Sequence, residues 1–215
     1  MTFFFFMYFL DLLGTLAFAI SGAFKAKGRA LNIFGVVFLG IVTAMGGGTV
    51  RDLIINRTPL FYLKDFNYLL VAVIGSILAY FVPSFFKKRY SLFRLLDSIG
   101  LATFAIIGVS VTYHHLFGKF SLISLLASVF LGVLTASGGG ILRDAIVSDI
   151  PFALMHGSNY IKSAFWGALI FYVLMFMNLT LAIVVSMTFA LFLREVASEY
   201  GIYKKVFRNN FTKTS

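Results

Sequence analysis

The stretch MGGGTVRD, residues 45–52, recurs as SGGGILRD at residues 137–144. Both copies lie inside long apolar runs, where three glycines weaken a helix and an Arg-Asp pair is costly to bury. Between residues 38 and 60, 12 of 23 positions are identical 92 residues later. Because a rare feature occurs twice at matching places, the sequence predicts a membrane protein with two related halves and a polar site between them.

The composition is that of an integral membrane protein. Of the 215 residues, 60% are hydrophobic and 12% are charged, whereas a soluble domain carries roughly 25% charged residues. The apolar runs approach the length of about 20 residues that crosses about 30 Å of hydrocarbon. We predict seven spans, of which the second and fifth are interrupted, at residues 5–24, 32–57, 66–86, 95–113, 121–149, 161–177 and 179–197.

The predicted spans form two repeats of three, over about residues 5–86 and 95–177. The first span aligns with the fourth at an offset of 86 residues, which pairs Asp11 with Asp97. Because three is odd, the second repeat enters the membrane from the opposite side. We therefore expect one all-α transmembrane domain made of two inverted repeats, with helices two and five kinked at their glycines. A seventh helix, 179–197, and a basic tail, 198–215, lie outside the repeats.

The net charge of +10 raises the possibility of nucleic-acid binding. Most of the basic residues, however, lie beside the predicted spans, which favours loops that flank a membrane. Eleven of them follow the first, third and seventh spans, at Lys25, Lys27, Arg29, Lys87, Lys88, Arg89, Arg94, Lys204, Lys205, Arg208 and Lys213. Cytoplasmic loops carry such an excess. We expect the N-terminus outside and the C-terminus in the cytoplasm, and no nucleic-acid partner.

Two interpretations of the glycine triplets are open. Glycines allow helices to pack closely in membranes. Alternatively, since three consecutive glycines point in different directions around a helix, they unwind or kink it, and the break then faces protein or water. In that case glycine carbonyls and nearby hydroxyls bind ions, and the candidate pore residues are Thr43, Gly46, Gly47, Gly48, Thr135, Ser137, Gly138, Gly139 and Gly140.

Ionisable groups inside a membrane indicate ion or substrate pathways, although an Arg-Asp pair can also simply end a helix at the interface. Neighbours on a helix do not face each other, so we expect Arg51 to pair across the repeat or with Asp11 or Asp97. Four aspartates against two arginines leave a negative site, which favours a monovalent cation. The candidate charged pore or gating residues are Asp11, Arg51, Asp52, Asp97, Arg143 and Asp144.

Other polar residues indicate no further chemistry. His114 and His115 lack a third ligand nearby in the sequence, and His156 follows a proline in a predicted loop. The chain contains no HExxH, GxSxG or phosphate-loop motif and no cysteine, so thiol chemistry is excluded. We expect neither an enzyme, nor a cofactor, nor a structural metal site.

Two inverted three-helix repeats, a seventh helix and GGG-x-x-R-D in the second and fifth spans resemble the prokaryotic trimeric intracellular cation (TRIC) channels, a family also described as a glycine-transporter domain. The similarity covers about residues 7–198. It implies a homotrimer in the lipid of the plasma (inner) membrane of a prokaryote, with a K⁺- and Na⁺-conducting pore in each protomer between the kinked second and fifth helices. The kink positions carried over are Gly46, Gly47, Gly48, Gly138, Gly139 and Gly140.

Two functional hypotheses follow. The first is a passive monovalent cation channel, in which the aspartates set cation preference. The second is a secondary transporter for a small solute such as glycine or another amino acid, in which Arg51 or Arg143 binds the substrate carboxylate. Saturable uptake into liposomes, as opposed to single-channel current steps, distinguishes the two.

Overall fold

The computed structural model describes residues 2–81 and 90–196. Within these ranges the chain is helical and has no strands, which confirms the predicted all-α class. Seven helices of 15 residues or more occur in the described chain: α1 Thr2–Lys27, α2 Ile33–Ile54, α3 Asn67–Phe81, α4 Tyr90–Thr112, α5 Leu122–Ile146, α6 Tyr160–Leu174 and α7 Leu179–Val196. Shorter turns are an α-helical turn Phe61–Lys64, a π-helical turn Tyr113–Phe117 that extends α4, and a 3₁₀ turn Phe152–Leu154.

Helices α2 and α5 end in the same way, at matching positions of the two repeats. Asn56 and Ser148, 92 residues apart, adopt positive φ angles of 53° and 58°. The amide of Arg57 donates to the Asp52 carbonyl at 2.8 Å, and the amide of Asp149 donates to the Asp144 carbonyl at 2.9 Å. This is the Schellman arrangement, in which a left-handed residue closes the helix and pairs its last carbonyls. The repeat therefore extends to backbone conformation.

Four helices are long and apolar enough to cross a membrane, namely α1, α2, the continuous segment of α4 with its π-helical turn, and α5. Helices α3 and α6 are apolar and have 15 residues each within the described part of the chain, a rise of about 22 Å. Seven complete spans therefore remain a prediction. The basic residues Lys87, Lys88 and Arg89 and the tail 198–215 lie outside the described residues.

The packing follows the predicted repeats. Within the first repeat α1 contacts α2 and α3, and within the second α4 contacts α5 and α6 in the same way. The two repeats meet through α1 against α4 and through α2 against α5. Helix α7 packs on α6 and α4, so it covers the second repeat and leaves the first without an equivalent.

The predicted interruption of the second and fifth spans is not observed. Residues 46–48 and 138–140 are α-helical, and each span is a single helix over its whole length. The cost of about 1 kcal/mol per glycine is offset here by burial, because both triplets lie in the core. A kink at these positions remains a prediction.

Candidate functional site

Glycines of the two triplets bring α2 and α5 together backbone to backbone. A Cβ built on Gly47 would collide with the backbone carbonyl of Thr135, and one built on Gly139 would collide with that of Thr43. A Cβ on Gly138 would lie 3.0 Å from the Cα of Gly47. Only glycine permits helices to approach this closely. Of the two interpretations, close packing therefore describes the glycines at the crossing of α2 and α5.

Thr43 and Thr135 occupy equivalent places beside this crossing. Each hydroxyl donates to a carbonyl one turn earlier in its own helix, Thr43 to Leu39 and Thr135 to Leu131, both at 2.6 Å. The Ser137 hydroxyl likewise donates to the Val133 carbonyl at 2.7 Å. All three side chains are buried. In this conformation their protons are therefore used within the helices. The Thr43 hydroxyl faces Gly22 of α1 and the Thr135 hydroxyl faces Gly108 of α4, whereas their backbone carbonyls lie at the crossing.

A large cavity opens beside Asp11, and we call it the Asp11 cavity. It has a volume of about 600 Å³ and is lined by Met7, Tyr8, Asp11, Arg57, Tyr68, Ile107, Ser110, Val111, His114 and His115. A narrower space of about 40 Å³ shares Asp11, Arg57, Tyr68 and Val111 with it and continues to Gly48 and Thr135. We call the end of the molecule that carries Arg57 the Arg57 end. The cavity thus leads from the Arg57 end to the crossing of α2 and α5.

Aspartates of the first repeat are held by tyrosines and arginines. The Tyr68 hydroxyl donates to Asp11 at 2.9 Å. Arg51 donates through Nε and Nη2 to Oδ1 of Asp52 at 2.9 and 2.8 Å, and Arg57 forms an ion pair with the same carboxylate at 3.2 Å. Asp52 is fully buried, so it is an ion-paired structural group at the end of α2, next to the cavity.

The second repeat holds a larger charged cluster at the opposite end, which we call the Lys25 end. Arg143 donates to Asp97 at 2.6 Å and to Asp144 at 2.9 Å, and to the Ser21 hydroxyl at 2.7 Å. Arg194 of α7 forms a second ion pair with Asp97. These arginines and aspartates are almost completely buried, and because every carboxylate has a cationic partner the burial is tolerated.

Two expectations about these charges are wrong. Arg51 pairs with its sequence neighbour Asp52, because the long arginine side chain curls back along the helix although the Cβ atoms diverge. The expected negative site is also not observed. Three cations outside the repeat-matched set pair with three of the four aspartates, namely Arg57 with Asp52, Lys25 with Asp144 and Arg194 with Asp97. Arg143, by contrast, does pair with the aspartate of another helix.

Several of the residues that complete the site are not predicted from the sequence. Tyr68 matches Tyr160 across the repeats, and that match is a usable signal for its contact with Asp11. Arg57 and Asp149 also occupy matching positions with opposite charge, which marks the two ends as different. Nothing in the sequence places Arg194 beside Asp97, because α7 has no repeat partner.

The histidines do not form a metal site in the described part of the chain. His114 and His115 are exposed and line the mouth of the Asp11 cavity, and His156 is exposed in the connection before α6. No group of three or more His, Cys, Asp or Glu side chains suitable for a metal ion occurs among residues 2–81 and 90–196. The histidines thus belong to the surface and to the cavity entrance.

The two segments that match a known family have nearly the same boundaries as the two predicted repeats. A family model described as "Glycine transporter" matches residues 8–84 and 94–176. The UPF0126 inner membrane protein YadS of Escherichia coli (strain K12) is 40% identical over 151 residues, 69% of each chain. A UPF0126 membrane protein of Deinococcus radiodurans is 39% identical over 145 residues, 67% of this chain and 65% of its own.

Solved structures match over almost the whole chain. The crystal structure of the TRIC trimeric intracellular cation channel orthologue from Rhodobacter sphaeroides has a TM-score of 0.83 and 31% identity, and the match covers 91% of this chain and 98% of that one. A prokaryotic TRIC channel crystallised in 0.5 M KCl has a TM-score of 0.82 and 29% identity over 92% and 98%. The protein therefore belongs to the glycine-transporter family of membrane proteins, the TRIC family.

Proposed function

We propose that the protein is a passive channel for monovalent cations, K⁺ and Na⁺, with one pore in each protomer. Its similarity to solved TRIC cation channels over 91% of the chain supports the general activity. The single observation that supports the route is the Asp11 cavity, which narrows towards the crossing of α2 and α5. By the same similarity we propose a homotrimer in a prokaryotic inner membrane.

The proposed route has three parts. An ion enters the Asp11 cavity from the Arg57 end, passes Asp11 and Tyr68, and reaches the narrow space beside Gly48 and Thr135. There the helices meet backbone to backbone, so a conducting crossing requires α2 and α5 to move apart. In that state the hydroxyls of Thr43, Thr135 and Ser137 and the carbonyls of the two glycine triplets supply the oxygens that replace part of the ion's hydration shell.

Cation preference in this proposal depends on Asp11. Asp52 carries two arginine partners and Asp97 two more, so neither contributes a net negative charge. Asp11 lines both the cavity and its narrow extension and accepts a hydrogen bond from the neutral Tyr68 hydroxyl. A carboxylate in a confined aqueous space attracts cations and repels anions. Asp52 and Asp144 act by holding Arg51 and Arg143 in place.

The test is planar-bilayer recording of the purified protein under a KCl gradient. We expect Asp11→Asn to move the reversal potential towards zero, with a cation-over-anion permeability ratio lower by about tenfold, the equivalent of about 1.4 kcal/mol. Glu195→Gln is the control, because Glu195 pairs with Arg94 at the other end of the molecule, and its reversal potential should match the unmodified protein. An unchanged reversal potential in Asp11→Asn contradicts the assignment.

A second function has a specific observation in its favour. The Asp11 cavity carries Arg57 as well as Asp11, and a carboxylate and a guanidinium in a space of about 600 Å³ suit the ammonium and carboxylate of a small amino acid. The description of the matched family agrees with this chemistry. If the protein is such a transporter, Arg57 binds the substrate carboxylate, the role for which the sequence suggested Arg51 or Arg143.

Uptake into liposomes separates the two functions. A transporter takes up radiolabelled glycine with saturable kinetics, and Arg57→Gln abolishes uptake. A channel shows unitary current steps in KCl without glycine, and glycine does not saturate any flux. We expect current steps and no saturable uptake. The reverse result replaces the channel by the transporter.

A further inference from the structure

The two ends of the molecule differ although the repeats are related. Residues that line the Asp11 cavity have repeat mates at the Lys25 end. Asp11 corresponds to Asp97 and Tyr68 to Tyr160, whereas Ile107 corresponds to Ser21, Val111 to Lys25 and Arg57 to Asp149. A molecule with exact repeat symmetry would therefore have a second cavity at the Lys25 end. In the part of the chain that the structure describes, Asp97, Lys25 and Asp149 form ion pairs with one another or with neighbouring side chains.

Lys25 is the first of two cations that fill this place. Its ammonium group lies 2.8 Å from Asp149 and 3.4 Å from Asp144, and its side chain is 11% exposed. It thereby ties the end of α1 to the end of α5. At the Arg57 end the equivalent position is Val111, whose short side chain leaves the Asp11 cavity open. Arg29 also pairs with Asp149.

Arg194 is the second cation, and it comes from α7, which has no counterpart in the first repeat. Its guanidinium forms an ion pair with Asp97 and donates through Nε to the Ser98 hydroxyl at 2.7 Å. It also lies over the ring of Tyr160, 4.0 Å from the centroid. Asp97 is thus occupied by Arg143 and Arg194, whereas its mate Asp11 faces the Asp11 cavity.

We propose that Lys25 and Arg194 are tethered cations that close the Lys25 end of the pathway by occupying the second-repeat carboxylates whose position a permeating cation would otherwise reach. The inference depends on the proposed function for its physiological meaning. In the described part of the chain, the Asp11 cavity opens at the Arg57 end, whereas Asp97 and Asp144 at the Lys25 end are buried in ion pairs. Passage requires Lys25 and Arg194 to move away from Asp144, Asp149 and Asp97.

Accessibility of a single cysteine tests the closure without any measurement of current. The chain contains no cysteine, so Ser21→Cys and its mate Ile107→Cys give clean reporters for the two ends. A membrane-impermeant cationic methanethiosulfonate is added to sealed vesicles on the side of the Lys25 end for Ser21→Cys and on the side of the Arg57 end for Ile107→Cys. We expect slow labelling at Ser21→Cys and fast labelling at Ile107→Cys.

The closure is then removed by Lys25→Val, which places at position 25 the residue found at its mate, position 111. We expect the labelling rate of Ser21→Cys to rise by about tenfold or more. The substitution removes a largely buried ion pair that stabilises the closed state, so the protein is open for a larger fraction of the time. The variant should fold, since Asp149 keeps Arg29 and Asp144 keeps Arg143. Lys27→Val is the matched control, because Lys27 donates to the Tyr80 carbonyl at 2.5 Å and lies on the same helix.

Arg194→Gln is an independent second variant, which retains a donor for Ser98 and removes the charge next to Asp97. It serves as the test if Lys25→Val does not fold, and it should also raise labelling at Ser21→Cys without changing Ile107→Cys. Fast labelling of Ser21→Cys without either change, or an unaltered rate in the folded variants, overturns the proposal. If labelling rises in a protein that passes no current, the closure stands and the channel function fails. Current steps together with an unaltered labelling rate support the channel and overturn the closure.

Discussion

At the crossing of α2 and α5, Gly47 and Gly139 have no side chain, and this allows the two helices to approach backbone to backbone. Gly47 faces the Thr135 carbonyl and Gly139 faces the Thr43 carbonyl, so each glycine is opposed by backbone of the other helix. Backbone cannot rotate away as a side chain can. Gly46 differs, because a methyl group there would meet the end of the Leu142 side chain at 2.6 Å. Neighbouring glycines of one motif thus have unequal tolerance.

We therefore expect Gly47→Ala to lower the free energy of unfolding by about 1–3 kcal/mol, the usual cost of overpacking a filled core. Gly46→Ala is the control and should cost less, because Leu142 can change rotamer and alanine favours the helix by about 1 kcal/mol. Denaturant titration in mixed detergent micelles, followed by circular dichroism, measures both. Equal stability of the two variants would contradict the backbone collision.

At the scale of the helices, much of the architecture could be predicted from the sequence. The duplicated motif predicted two repeats, and α2 and α5 occupy equivalent places with equivalent ends. The predicted unwinding is not observed, and the kink stays a prediction. The cost of a glycine to a helix depends on its own backbone, whereas the burial of the two triplets depends on how α2 and α5 pack, which a local pattern does not show. No pattern within α2 alone shows that Gly47 meets the backbone of α5.

The charged site was only partly predictable for a similar reason. The six charged candidates all lie within the predicted spans, and Arg143 meets Asp97 as a cross-helix partner. The partners that set the net charge, however, come from positions that the repeat does not mark, Lys25 in α1 and Arg194 in α7. Counting only matched residues therefore gave a negative site, whereas the contacts in the structure give carboxylates that are largely neutralised.

At the scale of the whole molecule, the open Asp11 cavity and the closed Lys25 end make the protein directional. An organic cation too large for the helix crossing can still enter a cavity of about 600 Å³ from one side. The same cation finds Asp97 and Asp144 already occupied by arginine and lysine on the other side. The two faces of the membrane should therefore respond differently to the same blocker.

We expect tetraethylammonium to reduce single-channel current when it is added to the compartment that faces the Arg57 end, and to have little effect from the other compartment. Asp11→Asn should weaken the affinity for the blocker by about tenfold, because the cation loses its attraction to a carboxylate. A tenfold change corresponds to about 1.4 kcal/mol of binding free energy. The measurement is current amplitude against blocker concentration in oriented bilayers. Equal block from both compartments would contradict the difference between the two ends.

The opposite charges at Arg57 and Asp149 also bear on the origin of the chain. Two identical subunits, inserted in opposite directions, cannot carry different residues at one position, so an ancestral homodimer would have had equal entrances on both membrane faces. Once the gene is duplicated the two copies can differ, and in this chain one carries an arginine where the other carries an aspartate, while α7 brings Arg194 to the second repeat alone. Sidedness therefore requires two copies with separate sequences, which a single subunit inserted in both orientations cannot provide.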